Sequence, residues 1–600
     1  MKKVKIITIA IFLAIVLSNY VYGNEIENYD KVKFKTTDTI FDTGFKSNMS
    51  IITYVTPAQS YDFFDEDGIL NIVYRSDNKI YWSKYNEEEK ALYDTKDIDL
   101  FYNINNEEKL PTLAYIFTYN FANAIYDNGY LYVLYSRMAY YENEEDRANQ
   151  KVLALAKYNT EGELVKVEEY LAEHLNTKSN NPLSGTSVPF YYSNCSLAAN
   201  NGVICCFFGR NMFSSHQSSF IAFFDEGSLK FVNDLQGIIE NEQELKLYQD
   251  YYNITQHSIS HSLAQRVIAT EDGKFLFAES GDSGVGGISR GLIVSKITDE
   301  YNDTLDRDVY NISSRRMLHY SEGGNSARGY NNTYHTFGSL LELNDGYMYI
   351  GGLENKLSLE YGNTINGEWN IFVQKYAKDF YLKNNPQEMQ LLETPLRVAT
   401  GNKPEKEESG PLYLTGNERD YGIKFLTNLK DSCAVVVRAA KLSEDKIAIL
   451  WDETKIEEFV DSSTGQIHGY TPSGLHDRDS FFMIIDKDGN IIKHKTSIEG
   501  AYLSLEENYA VKNGKVYWSS STGSKEIVVN VLDLNNQADD YLKGDINKDR
   551  YINSVDAAIV LDKFKSNDST EEDFELGDMN EDNLLNSTDS AIILDIFKNM

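Results

Sequence analysis

Two twelve-residue stretches near the C-terminus carry the densest chemistry in the chain. Residues 545–556 read Asp-Ile-Asn-Lys-Asp-Arg-Tyr-Ile-Asn-Ser-Val-Asp, and residues 578–589 read Asp-Met-Asn-Glu-Asp-Asn-Leu-Leu-Asn-Ser-Thr-Asp. Both place oxygen-bearing side chains at positions 1, 3, 5, 9 and 12, the spacing with which a short loop wraps a hard cation. One donor set is Asp545, Asn547, Asp549, Asn553 and Asp556 with the Tyr551 carbonyl. The other is Asp578, Asn580, Asp582, Asn586 and Asp589 with the Leu584 carbonyl. Three carboxylates per loop repel one another without a cation, so folding here is expected to be coupled to calcium. Magnesium tolerates so crowded an all-protein cage poorly.

These loops need elements to hold them. Each runs into an apolar-periodic octapeptide, Ala557 to Phe564 and Ser590 to Phe597, which reads as a helix. The two loop-helix units match with an offset of 33 residues, so the segment is a duplicated unit. A Gly-Asp pair opens each copy, Gly544-Asp545 and Gly577-Asp578. On these residues the segment resembles a type I dockerin, the module that plugs cellulosomal proteins into the cohesin domains of a scaffoldin. The resemblance implies two Ca2+ ions and a cohesin partner, with Ser554, Val555, Ser587 and Thr588 at the cohesin contact. It departs from the usual loop at position 6, where Arg550 and Asn583 stand in place of glycine. Arg accepts left-handed geometry less readily than Asn, which predicts weaker binding in the first loop.

The long region before this segment has a period. Tight turns at Asp67-Gly68, Asn128-Gly129, Asn201-Gly202, Asp272-Gly273, Asp345-Gly346, Glu444-Asp445 and Asn513-Gly514 each precede an apolar, aromatic-rich strand pattern. The markers recur at intervals of 61, 73, 71, 73, 99 and 69 residues. A second strand and turn follows each of them, which makes about four strands per unit. Units of this kind stack to bury their faces, and the pattern predicts a mainly β fold: a β-propeller of about seven four-stranded blades, followed by the small α-helical module. A tandem of β-sandwiches is the runner-up and leaves the regular spacing unexplained. The 99-residue interval predicts an insertion at about 381–433. The expected division is a signal peptide at 1–23, the propeller at 24–540 and the calcium module at 541–600.

Polar residues interrupt several strand patterns. His257, His261 and Arg266 precede one marker strand, Glu279 and Asp282 follow it, and Arg290 opens the next. His335 stands at the corresponding place one unit later. Arg438 precedes the sixth marker, and Asp452 with Glu453 ends its strand. Blade loops converge around a central channel, so these residues are candidates for a carbohydrate site. Paired carboxylates would serve a hydrolase, while His, Arg or Tyr would serve a lyase. The competing reading for each is a blade-to-blade polar bond. Stretches from His257 to Arg290 and from Thr333 to Glu354 resemble uncharacterised exported propeller proteins, which implies no particular chemistry.

Composition limits the alternatives. Lys and Arg total 57 against 91 Asp and Glu, for a formal charge of −34. That disfavours nucleic acid and anionic membrane surfaces as partners. Lys2, Lys3 and Lys5, the apolar run Ile6 to Leu17 and the Val21-Tyr22-Gly23 end read as a signal peptide cleaved before Asn24, with no membrane span in the mature chain. Adjacent Cys205 and Cys206 are expected on opposite faces of a strand, and a bridge involving Cys195 or Cys433 is left open. The expected function is that of a secreted, cellulosome-associated component whose propeller acts on plant cell-wall polysaccharide, as a hydrolase or lyase. The alternative is a non-catalytic propeller that binds glycan or protein.

Overall fold

In the computed structural model the described residues are 29–36, 60–76, 79–98, 120–136, 150–171, 195–212, 217–230, 260–283, 288–302, 307–319, 335–354, 368–392, 419–460, 478–505 and 509–535, then 543–548, 552–566, 568–580 and 584–599, with a few shorter pieces between. The signal-peptide expectation and His257 lie outside them.

The chain forms a seven-bladed β-propeller followed by a small helical segment. Every marker turn joins the first and second strands of a blade. The first strands are Ser60–Phe64, Asn120–Asp127, Cys195–Asn200, Ser260–Ala269, His335–Leu343, Ser432–Ser443 and Ala510–Lys512. Each contacts the first strand of the next blade, and the last returns to the first, so they form a closed inner ring. The turns themselves explain the marker residues. Asn128, Asn201 and Asn513 take φ near +50°, and the glycines after them take +69° to +77°. Two successive positive φ values give a turn whose twist matches the strands, and Asn-Gly adopts it at least cost.

Second strands have apolar central stretches, such as residues 131–135, 203–208 and 447–451, whose two faces are both buried. The layer between blades two and three packs Tyr132, Leu134, Leu155, Leu197, Ile204 and Phe208. That between blades six and seven packs Leu450, Phe482, Trp518 and Leu532. The third strands of blades four and five each carry a lysine whose stem is buried and whose ammonium meets a turn carboxylate. Lys296 lies 2.9 Å from Asp272, and Lys375 lies 2.8 Å from Asp345 and 3.0 Å from Asp488. An ammonium buried without such a partner would be strongly unfavourable.

An innermost strand leaves one backbone edge without a ladder. Side chains from neighbouring blades supply the missing bonds. The Asn123 amide donates to the Cys195 carbonyl at 2.7 Å, and the Ser196 hydroxyl accepts from the Val267 amide at 2.7 Å. The Asp62 carboxylate accepts from the Ser519 amide. Asp62, Asn123 and Ser196 all stand six residues before their marker glycine. Thr336 and Ser339 bond the Ala434 carbonyl and Ala439 amide at 2.6 and 3.0 Å.

Blade seven is built from both ends of the domain. Its order places Tyr29–Lys35 outside Glu526–Asp533, Lys515–Ser520 and Ala510–Lys512. Val32 and Phe34 face its inner layer, while Lys31, Lys33 and Lys35 face out. The expected insertion at 381–433 appears as a short helix, Pro386–Met389, and a strand return at Lys424–Phe425 that pairs with Phe372 and Val373.

Candidate functional site

The C-terminal segment folds as α1 (Ser554–Ser566), α2 (Glu571–Gly577) and α3 (Ser587–Asn599). Ile546, Ile552, Ala557, Val560, Leu585 and Ile593 form its core. The Ser590 hydroxyl donates to the Ala557 carbonyl at 2.9 Å and ties α3 to α1. The glycine of each Gly-Asp opening has a physical reason. Gly544 sits at φ +108°, and a Cβ on Gly577 would lie 2.7 Å from Leu585 and 2.9 Å from Ile546.

Both loops wrap around their last carboxylate. Asp556 is fully buried and accepts from the Asn553 amide at 2.8 Å and the Asn547 amide at 3.3 Å. Asp589, equally buried, accepts from Asn586, Met579 and Asn580 amides at 2.9, 2.9 and 3.3 Å. Asp545 and Asp578 are buried beside them. Asn553 and Asn586 cap α1 and α3 through bonds of 2.7 Å to the amides of Val555 and Thr588. Neither Asp556 nor Asp589 forms an ion pair among the described residues, and a buried carboxylate needs a counter-charge. A hard divalent cation fits this oxygen set. No cluster of three His, Cys, Asp or Glu occurs among the described residues. In the first loop the third carboxylate, Asp549, is not among them; in the second, Asp578, Asp582 and Asp589 are all described and do not meet as one such cluster. Asp549, Arg550, Tyr551 and Asn583 lie outside the described residues.

The propeller candidates are distributed over three blades. His261, Arg266, Glu279, Asp282 and Arg290 are on blade four, His335 on blade five, and Arg438 and Asp452 on blade six. For His261, Asp282, Arg290 and His335 the structure gives the strand position alone. Arg266 and Arg438 are buried latches. Arg266 donates to the Gly338 carbonyl of blade five at 3.0 Å and covers the Phe337 ring. Arg438 donates to the Leu505 carbonyl at 2.9 Å. Glu279 is buried opposite Gln265 and Ile293. It is not brought beside Asp452, from which a whole blade separates it.

Asp452 has a polar setting of its own. The Ser480 hydroxyl donates to it at 2.6 Å, and an Arg478 guanidinium nitrogen lies at 3.3 Å in an ion pair that is not aligned as a hydrogen bond. Complete burial pushes its pKa up to about 6, against the opposing pull of Arg478, Ser480 and Arg438. Arg478 lies over the Tyr502 ring, 4.6 Å from its centroid. Arg478, Ser480 and Tyr502 escaped sequence reading because no spacing links them to Asp452. All four cysteines are buried, and the Cys195 and Cys206 sulfurs lie 3.5 Å apart.

Residues 543–595 match the family model for the dockerin type I domain. The C-terminal segment is a type I dockerin. No curated protein matches the chain. Among solved structures, one of a protein of unknown function from Dyadobacter fermentans shares 8% identity over 77% of this chain and 100% of its own, with a TM-score of 0.32. Drosophila Semaphorin 1a shares 10% over 83% and 89%, with a TM-score of 0.36. A GH43 β-xylosidase/α-arabinofuranosidase from a compost metagenome shares 10% over 64% and 96%, with a TM-score of 0.23. On the dockerin, Ser554, Val555, Ser587 and Thr588 are exposed at the starts of α1 and α3. No described helix is long and apolar enough to cross a membrane.

Proposed function

We propose that this protein is exported and attached through its dockerin to a cohesin domain of a scaffoldin, where its propeller engages plant cell-wall polysaccharide. The duplicated loop-helix unit at 543–595 carries this reading. In it residues 1–23 are the signal peptide, 24–540 the propeller and 541–600 the attachment module. One Ca2+ sits in each loop, held by Asp545, Asn547, Asp549, Tyr551, Asn553 and Asp556, and by Asp578, Asn580, Asp582, Leu584, Asn586 and Asp589. The cation neutralises the converging carboxylates and fixes α1 against α3. Ser554 and Val555, and their counterparts Ser587 and Thr588, then meet the cohesin.

Two readings of the propeller differ in turnover. Dockerin-borne cargo favours a hydrolase or lyase. The burial of Glu279 and Asp452, which leaves neither carboxylate open to solvent, favours glycan binding without turnover. An assay for reducing ends and unsaturated products with the full chain, alongside binding on the same panel of cell-wall polysaccharides, separates them. New ends on any polymer establish an enzyme, and retained polymer without new ends establishes a binder. Neither product nor retention refutes the polysaccharide reading and leaves the attachment role alone.

A further inference from the structure

The seam where blade seven meets blade one contains a cavity of about 360 Å³. Residues of tight turns frame it, including Gly68 and Asn513 of two marker hairpins, so it opens on the hairpin face. Its walls include Phe64, Tyr85, Tyr93 and Tyr517, and Glu87 and Glu88 bring carboxylates to it. Phe64 and Tyr517 meet edge to face at 5.2 Å, which fixes both rings. Tyr93 is 41% exposed, and a break in the blade sets its place. Pairing jumps from Trp82↔Lys96 to Lys84↔Tyr93, and Asp94 in the bulge takes φ +50°. A bulge of this kind re-aims a side chain on an outer strand, and such features recur next to functional sites.

The charges here are pre-arranged. Glu87 accepts from the Lys515 ammonium at 2.6 Å through one oxygen and from the Tyr517 hydroxyl at 2.8 Å through the other. Each carboxylate oxygen retains acceptor capacity, so a fixed pair of acceptors remains for a ligand's hydroxyls. The two cations nearby are already engaged. Lys515 also lies 3.6 Å from Asp533, and Lys512 donates to the Gly68 carbonyl while lying over the Phe64 ring. An anionic ligand would find no free counter-charge and a second carboxylate, Glu88. Aromatic faces beside a braced carboxylate suit a ligand with apolar C–H faces and neighbouring hydroxyls. We propose that this cavity at the blade-seven/blade-one seam binds an uncharged oligosaccharide, with Tyr93 as the stacking platform and Glu87 as the hydroxyl acceptor.

This inference rests on the polysaccharide reading and places one contact of it on the hairpin face. The test is calorimetry of the full chain with xylohexaose, cellohexaose and mannohexaose, with trigalacturonate as the charged comparison. At least one uncharged probe is expected to bind. Tyr93→Ala should weaken it at least tenfold, Glu87→Gln should weaken it similarly, and Tyr93→Phe should retain it. Tyr93 is exposed on an outer strand, so its truncation leaves the core intact, as an unchanged melting curve would verify. Binding that Tyr93→Ala leaves unchanged, or a preference for trigalacturonate, overturns the cavity while sparing the wider reading. Failure of every oligosaccharide to bind, where a polysaccharide is still retained or cleaved, also overturns the cavity alone. Failure of all oligosaccharides and polymers overturns both.

Discussion

Asp452 shows how a single buried carboxylate makes stability depend on pH. Its folded pKa of about 6 stands above the usual carboxylate value of 3.8. The folded state therefore holds this proton more tightly than the unfolded chain. The associated stability is fully present below pH 4 and is lost as pH rises through about 6. Over that window the effect is on the order of 3 kcal/mol. Unfolding of the wild type and Asp452→Asn between pH 4 and 7.5 should show the wild type losing stability relative to the variant as pH rises. A difference between the two that is flat with pH would contradict this. The same residue scale shows what sequence can and cannot read. Arg266, Arg438 and Asp452 interrupt apolar strands, and that pattern signals either chemistry or a buried polar bond. The first two proved to be latches: Arg266 reaches the Gly338 carbonyl on the first strand of blade five, and Arg438 reaches the Leu505 carbonyl in the segment that leads into blade seven. Only three-dimensional neighbours distinguish the two cases. A positional signal was present for Asp62, Asn123 and Ser196, whose equal offset from their glycines marks one structural role.

At the scale of elements, the hairpins were legible and the closing strand was not. The Asn-Gly and Asp-Gly turns impose a backbone that few other pairs adopt, so each announces its own strands. Tyr29–Lys35 has no hairpin partner near it in sequence. Its partner, Glu526–Asp533, lies almost at the other end of the domain. The strand is held along its full length, from Tyr29 opposite Leu532 to Lys35 opposite Glu526. The Tyr29 hydroxyl adds a bond of 2.7 Å to Asn530. Ring closure by the two chain ends predicts that a chain beginning after residue 36 loses stability far out of proportion to its length. Burial of Val32 and Phe34 alone is worth about 3 kcal/mol. The urea midpoint of the shortened protein should fall clearly below that of the chain that keeps residues 29–36. Equal midpoints would mean that the strand does not close the ring.

The whole molecule joins two kinds of signal. The propeller was read from a loose period, because each blade repeats a turn and an apolar strand while its other residues vary. The dockerin was read from a strict one, because a cation fixes ligand type and spacing residue by residue. That difference explains why the attachment chemistry could be written down by residue and the propeller's chemistry could not. Its fold is spread over seven blades, and buried polar residues such as Asn123, Ser196 and Arg266 join one blade to the next. The central claim is calcium-dependent attachment. It is tested most directly by calorimetric titration of a type I cohesin into the full chain, with calcium and again after chelation. The account predicts one cohesin bound per chain in calcium, and binding abolished by chelation or by joint Asp556→Ala and Asp589→Ala substitution. Binding that survives chelation, or no binding in calcium to any type I cohesin offered, would contradict it.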